Sequence, residues 1–240
     1  MKELKARKKE EGHRRAREIA LQRKAEALAI SPSPPSPASH NGHGSHNSAK
    51  ALRFVKWILA TYPHLPLSVL DVAAGSGEVA VRLGFCHKIP SFTVDIRGWE
   101  GLHLNTLRKK VIPKLPKKWQ GKLRDMEDEE LGVLAGPFMP LQLIERFDDL
   151  EQVECNPTLL AAVRSCSLLL GLHADASTEV VVEVAEKYNK AFVVVPCCVF
   201  PKLFEGRRWE GREVKSTEIF VEYLKGRDGR YRKEVRGGGP

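Results

Sequence analysis

The chain lacks any apolar run long enough to span a bilayer, which excludes a helical membrane segment. It also lacks a signal-peptide pattern of basic start, apolar centre and small-residue cleavage site. Cysteine is sparse, with five in 240 residues and none in C-x-x-C spacing. That argues against a disulfide scaffold and against the usual zinc ribbon. The expected compartment is a reducing one, intracellular and either cytoplasmic or nuclear. A mitochondrial transit peptide is disfavoured because the first thirty residues carry five glutamates among their ten Lys and Arg.

What is present is an uneven basic charge. The net charge of +9 is concentrated in the N-terminal arm and in Arg97 to Arg124, which holds nine Lys and Arg against Glu100 alone. The stretch from Asp125 to Pro201 is acidic. A basic band beside an acidic core fits a polyanion such as RNA, since phosphate attraction is the sequence-independent part of nucleic-acid affinity.

Four segments follow from composition. Residues 1–30 read as a charged helical or disordered arm, and 31–48 as a Ser/Pro/His-rich linker that cannot bury enough apolar surface to order itself. His40, His43 and His46 lie in that linker without a rigid frame, so no metal site is expected there. Residues 49–236 form the folded domain and 237–240 a disordered tail.

The domain is organised around Ser68-Val-Leu-Asp71-Val-Ala-Ala-Gly75-Ser-Gly77-Glu-Val-Ala-Val-Arg-Leu83, read as strand, tight turn and helix. Gly75 and Gly77 permit backbone angles that other residues resist and let a ligand approach the main chain beside a helix N-terminus. Before it, Ala51, Phe54, Val55 and Ile58 make a helical stripe, with Trp57 assigned to packing. After it, Phe92 to Asp95 is a second strand ending in an acid 18 residues past Gly77, near the spacing at which an acid meets a ribose.

Further along, Leu104 to Ile112 is helix-like, and Lys114, Lys117, Lys118, Lys122 and Arg124 surround Trp119 in a basic and aromatic stretch suited to a polynucleotide. A plain exposed loop with one packed Trp is the other reading. Leu141 to Phe147 is the third strand and leads to Asp148 and Asp149, placed to meet an adenine. Asn156-Pro157 starts a helix through Arg164, Ser167 to His173 is a central strand, Thr178 to Asn189 a helix, and Ala191 to Val195 a fifth strand ending at Pro196-Cys197-Cys198. Ser216 or Thr217 caps a last helix to Leu224, stopped by Gly226, and one more strand fits near Tyr231 to Val235.

Alternating strands and helices predict an α/β, Rossmann-like, doubly wound and mostly parallel sheet whose ligand lies at the carboxyl ends of the strands. Asp71, Gly75, Gly77, Asp95, Asp149, His173 and Cys197 all fall near such ends. Gly75-Ser-Gly77-Glu-Val-Ala80 also fits a dinucleotide fingerprint, so an NAD-dependent oxidoreductase is one alternative. Asp71 argues otherwise. A carboxylate four residues before the first glycine repels a pyrophosphate and attracts the ammonium and sulfonium of S-adenosylmethionine. One such charge pair is worth roughly 4 kcal/mol at an effective dielectric near 20.

Asp71-x-x-x-Gly75-x-Gly77 together with Asp95 resembles the cofactor motifs of class I S-adenosylmethionine-dependent methyltransferases. The resemblance implies cofactor binding by Asp71, Ala73, Gly75, Gly77, Asp95, Ile96, Asp148 and Asp149, and a closing C-terminal hairpin that is incomplete in this chain. Gly171-Leu-His173-Ala-Asp-Ala-Ser-Thr178-Glu179 and the later Val195-Pro-Cys197-Cys198 are similar to the branch containing the tRNA ribose 2′-O-methyltransferases, with its G-K-H-L-C-G-x-x-T-D and Cys-Cys-His-His motifs. Leu172 stands in place of the lysine, the first motif is one residue shorter and lacks its cysteine, and Val199-Phe200 replace the two histidines. The zinc-finger cysteines that often accompany that enzyme are absent from the sequence.

The function expected is therefore methyl transfer to RNA, tRNA or rRNA, with His173 as general base helped by Asp175. Cys197 is an alternative catalytic residue, as a nucleophile on a pyrimidine, if its thiolate forms. A metal held by Cys197, Cys198 and His173 is not expected, because adjacent cysteines are not the usual chelating spacing. A non-catalytic methyltransferase-like domain binding RNA or a ribonucleoprotein is the remaining class.

Overall fold

The computed structural model describes residues 44–63 and 68–233. The basic arm, most of the linker and the 237–240 tail lie outside the described residues. The described chain divides between Cys198 and Val199 into two units, each with its own packing.

The first unit is built on five parallel strands: β1 (Val69–Val72), β2 (Ser91–Val94), β3 (Leu141–Leu143), β4 (Leu168–Leu172) and β5 (Ala191–Val195), in the order β3-β2-β1-β4-β5. The order reverses direction between β1 and β4, where Val69 pairs with Leu168 and Asp71 with Leu170. Side chains alternate across this sheet. Val69, Leu168 and Leu170 pack with Phe54, Val55 and Ile58 of α1 (Gly44–Thr61) and with Val79 and Leu83 of α2 (Glu78–His87). Leu70, Val72 and Leu169 point the other way, against residues from α6 (Leu150–Cys155), α7 (Pro157–Ser165) and α8 (Thr178–Lys187). Helices on both faces explain the continuous apolar runs of the central strands and make the fold Rossmann-like and doubly wound, as predicted.

Several local expectations are met. Ala51, Phe54, Val55 and Ile58 are all buried, and Trp57 packs against Phe54 and Tyr62. Asn156 caps α7 by accepting from the Thr158 and Leu159 amides. Others are corrected. α1 begins at Gly44, inside the stretch assigned to the linker. β3 covers Leu141 to Leu143 rather than running to Phe147, and Phe147 is buried in the core instead. As the edge strand, β3 has only β2 to hold it in register.

The basic stretch after β2 is helical, over Leu104 to Ile112 as read and also around Trp119, where an exposed loop was the alternative. α3 (Leu102–Thr106) continues through a π-helical turn (Leu107–Val111) and a 3₁₀ turn (Ile112–Lys114) into α4 (Lys117–Arg124) and α5 (Asp128–Ala135). Leu107, Val111, Ile112, Leu123 and Leu131 cluster on Val81 of α2, forming a third apolar core. Lying between the sheet and this insert, α2 buries every residue from Glu78 to Gly84. The Glu78–Arg82 ion pair is buried with it at 2.7 Å, and Arg82 also donates to the Lys110 carbonyl at 2.8 Å.

The second unit contains a short hairpin, β6 (Arg208–Trp209) and β7 (Arg212–Glu213), and α9 (Thr217–Lys225). Glu210 and Gly211 both have positive φ, the requirement of a type I′ hairpin turn. The hairpin was not anticipated from the sequence. α9 was, with Ser216 as its cap. Gly226 has an ordinary φ of −69°, so its need for glycine is spatial: an added Cβ would sit 1.9 Å from the Trp209 ring. The buried Arg207 places its guanidinium 3.5 Å from the Phe204 ring centre and 4.7 Å from that of Phe220. Among the described residues no strand forms over 231–233, and the remainder of the expected sixth strand lies outside them.

Candidate functional site

A cavity of about 480 Å³ opens in the first unit at the carboxyl ends of β1 and β4, where the strand order reverses. That is where open α/β sheets bind their ligands, and the volume suits a small-molecule site. Its walls come from three directions. β1 contributes Asp71, the loop after it Ala73, Gly75 and Ser76, the residue after β4 is His173, and Lys50 and Lys110 also line the cavity.

The β1–α2 loop is held rigidly. Ala73, Gly75 and Gly77 all take left-handed φ angles of 53°, 58° and 69°. The Ala74 amide donates to the Val94 carbonyl, and the Gly77 amide to the Ala74 carbonyl. Thr106 Oγ1 donates to the Ser76 carbonyl at 2.7 Å, and Lys110 Nζ donates to Ser76 Oγ at 2.8 Å. The insert thus clamps the glycine loop from outside the sheet.

Gly77 is required for two reasons. Its φ is left-handed, and an added Cβ would lie 2.8 Å from the His103 ring. His103 is buried, with Nε2 3.1 Å from Thr93 Oγ1. Burial holds its imidazole below the ordinary range, opposed by a hydrogen bond with the Pro140 backbone.

Two carboxylates differ sharply in their surroundings. Asp71 is buried at 2% exposure, and burial pushes its carboxyl up to about 7, with the Ala80 amide at the start of α2 opposing and Asp95 adding to the rise. Asp95 accepts from the Gly75 amide at 2.8 Å, from the Arg97 amide at 2.9 Å and from the Arg97 guanidinium at 3.0 and 3.1 Å. Burial acts to raise Asp95 as well, but these donors outweigh it and hold the carboxyl below its usual range.

On the opposite wall His173 has a φ of 58°, and its amide donates to the Val195 carbonyl at 3.1 Å. Burial and the Lys50 ammonium hold its imidazole below the ordinary range, against the pull of Asp175. Asp175 makes its contact with Cys197, whose Sγ donates to Oδ1 at 3.2 Å. Burial, that bond and the neighbouring Cys198 push the Cys197 thiol up to about 12, so a thiolate nucleophile is disfavoured at neutral pH.

No protein-family model matches the chain, and no curated protein matches it at a significant level. Among solved structures, the chain is similar to the crystal structure of magnesium protoporphyrin IX methyltransferase from Synechocystis PCC 6803 with bound SAH. The identity is 12% and the TM-score 0.41, over 81% of this chain and 78% of that one.

Of the residues singled out from sequence, Asp71, Ala73, Gly75, His173 and Cys197 line the cavity together. Gly77 and Asp95 hold its loop. Ile96 is 48% exposed and is not among the lining residues. Asp148 and Asp149 do not line it either: Asp149 caps α6 by accepting from the Gln152 amide at 2.7 Å, and Asp148 pairs with Arg146 at 3.1 Å. Both lie beyond the end of β3 at Leu143. Sequence reasoning missed Lys50, Lys110 and His103. Lys110 is delivered by a π-helical turn, which the apolar spacing does not announce.

Proposed function

We propose that the chain is an S-adenosylmethionine-dependent methyltransferase acting on RNA. The observation that carries this reading is Asp71, a buried carboxylate on the wall of a cavity at the strand-order switch. A site whose deepest acid is raised to about 7 by desolvation gains from a cationic ligand and loses with an anionic one. That favours a ligand with an ammonium and a sulfonium over a dinucleotide pyrophosphate.

The residues fit such a cofactor. Asp71 would hold the cationic portion, the Gly75 loop would give close backbone approach, and Asp95 would accept from ribose hydroxyls once Arg97 moves aside. When bound, the cofactor supplies an electrophilic methyl group. His173 lines the same cavity with an imidazole held neutral at physiological pH, the form that takes up a proton from an acceptor hydroxyl. Asp175 is engaged with Cys197 and reaches His173 through its field.

Support for RNA comes from the insert. Lys117, Lys118, Lys122 and Arg124 lie on α4 with Trp119, which is 50% exposed and has Lys118 Nζ 5.5 Å from its ring centre. An exposed aromatic among cations offers stacking together with phosphate attraction. Lys50 and Lys110 extend the positive charge to the cavity.

Calorimetry with S-adenosylmethionine and with NAD tests the cofactor, and tight binding of NAD alone restores the oxidoreductase. Incubating the protein with extract and radiolabelled cofactor, followed by parallel nuclease and protease digestion, tests the acceptor. Label released by nuclease is expected. His173→Ala is expected to abolish transfer and leave cofactor affinity intact.

A further inference from the structure

The loops after β4 and β5 bring Asp175 beside the adjacent pair Cys197 and Cys198, from which the sequence keeps it apart. Asp175, Cys197 and Cys198 place one ligand atom each within 4.8 Å of one another. Cys197 Sγ is 3.2 Å from Asp175 Oδ1. On one tetrahedral zinc ion, with bonds of about 2.3 Å to sulfur and about 2.1 Å to oxygen, a sulfur and an oxygen lie about 3.6 Å apart. The observed pair is therefore close to the spacing that a shared ion would impose.

The frame is fixed before any ion arrives. β4 and β5 are paired in register up to Leu172 and Val195, and the His173 amide extends that ladder to the Val195 carbonyl. Asp175 opens a 3₁₀ turn with a φ of 50°, a left-handed angle that is costly for a residue with a side chain. Both loops are thus anchored at a common root. Adjacent cysteines alone are a poor chelating pair, but a carboxylate from the neighbouring loop completes a set of two sulfurs and one oxygen. Such a donor set suits zinc and cadmium better than magnesium or calcium.

We propose that Asp175, Cys197 and Cys198 form a three-ligand site for a zinc-class divalent ion at the rim of the crevice. Two metal–sulfur bonds and one metal–oxygen bond form, and both thiol protons leave to solvent. The fourth position is left for water or for a group entering the crevice, since Cys197 also lines the cavity. The proposal does not rest on the methyl-transfer reading.

The full chain, reduced with a phosphine and stripped of metal by a chelator, is titrated with cobalt(II) and followed by near-ultraviolet absorption. Sulfur-to-cobalt charge transfer saturating at one equivalent, and lost on adding zinc, is the expected result. Histidine ligation elsewhere in the chain does not produce that band. Cys198→Ser, at an exposed position, is expected to weaken or abolish it. Asp175→Asn is expected to lower cobalt affinity roughly tenfold or more. Cys155→Ser, also exposed, is expected to leave it unchanged. Absence of the band at stoichiometric cobalt overturns the proposal. So does a band that persists in the Cys197→Ser/Cys198→Ser variant, or an affinity unmoved by Asp175→Asn. Circular dichroism of each variant establishes that the fold is retained.

Discussion

The Gly75 amide donates to Asp95 Oδ2 at 2.8 Å, while Arg97 holds the same carboxylate through its own amide and guanidinium. Asp95 is therefore a structural pin for the glycine loop as well as a candidate ribose ligand. Asp95→Ala leaves the Gly75 amide without its acceptor and is expected to cost about 1–3 kcal/mol in urea denaturation, together with loss of S-adenosylmethionine binding. Arg97 has a side chain that is 73% exposed, so Arg97→Ala is expected to change stability by less than about 1 kcal/mol. Calorimetry is expected to show tighter cofactor binding in that variant, because the guanidinium competes for the same oxygens.

Asp71 sets a pH dependence. Its folded-state value of about 7 lies above the ordinary 3.8, so between these values the folded chain keeps a proton that the unfolded chain has lost. This contribution to stability is fully present below the lower value and is lost as pH rises through about 7. Binding of a cationic ligand runs the other way, since it needs the ionised carboxylate. S-adenosylmethionine affinity is expected to rise by up to about tenfold per pH unit on approaching 7 and then to level off. Asp71→Asn is expected to flatten that profile at weak affinity, as read by calorimetry over a pH series.

Gly77 combines a left-handed φ with contact against His103. Gly77→Ala is expected to destabilise by about 2–5 kcal/mol, the sum of the conformational cost and of overpacking. His103→Ala introduced alongside it is expected to recover part of that loss, and a double-mutant cycle by denaturant unfolding measures how much.

Ala73 occupies the left-handed region with a side chain, at φ 53°. Ala73→Gly relieves about 1–2 kcal/mol of conformational strain and adds about 0.5–1 kcal/mol of chain entropy cost. The expected net effect is a stabilisation of up to about 1.5 kcal/mol, visible as a shift in the urea midpoint, with cofactor affinity retained.

On the proposed RNA reading, the lysines of α4 set the salt response of binding. Replacing Lys117, Lys118 and Lys122 together by Ala is expected to reduce the slope of log affinity against log salt by about 2 for single-stranded RNA. Trp119→Ala is expected to weaken binding by about 1–3 kcal/mol and to leave the slope unchanged. Fluorescence anisotropy across a salt series separates the two effects.

Much of the architecture was legible because it rests on local pattern. The α1 stripe, the Asn156 and Ser216 caps, and the apolar runs of β1, β4 and β5 are set by neighbours within a few residues, and all occur as read. The insert was less legible. α4 and α5 contribute only Leu123, Leu131 and Ala135 to a buried face, so few apolar positions mark them as helices. Asp148 and Asp149 show a related limit of pattern: an acid after an apolar run reads alike whether it faces a ligand, pairs with a neighbour or caps the next helix, and here Asp149 caps α6.

The sequence by itself determined the five strands of the parallel sheet, the helices that open at Glu78, Pro157, Thr178 and Thr217, and the Asp71 to Gly77 loop, because strand patterning, caps and glycine's φ freedom are properties of short segments. It also placed a carboxylate, Asp71, in β1 four residues before Gly75, while its burial came from the fold. Only the tertiary structure decided what that loop rests on. The Asp95 pin, the His103 ring against Gly77, the Lys110 clamp on Ser76 and the meeting of Asp175 with Cys197 and Cys198 all join residues from separate elements. Such contacts depend on how β1, β2, β4 and the insert pack in space, which spacing along the chain does not encode.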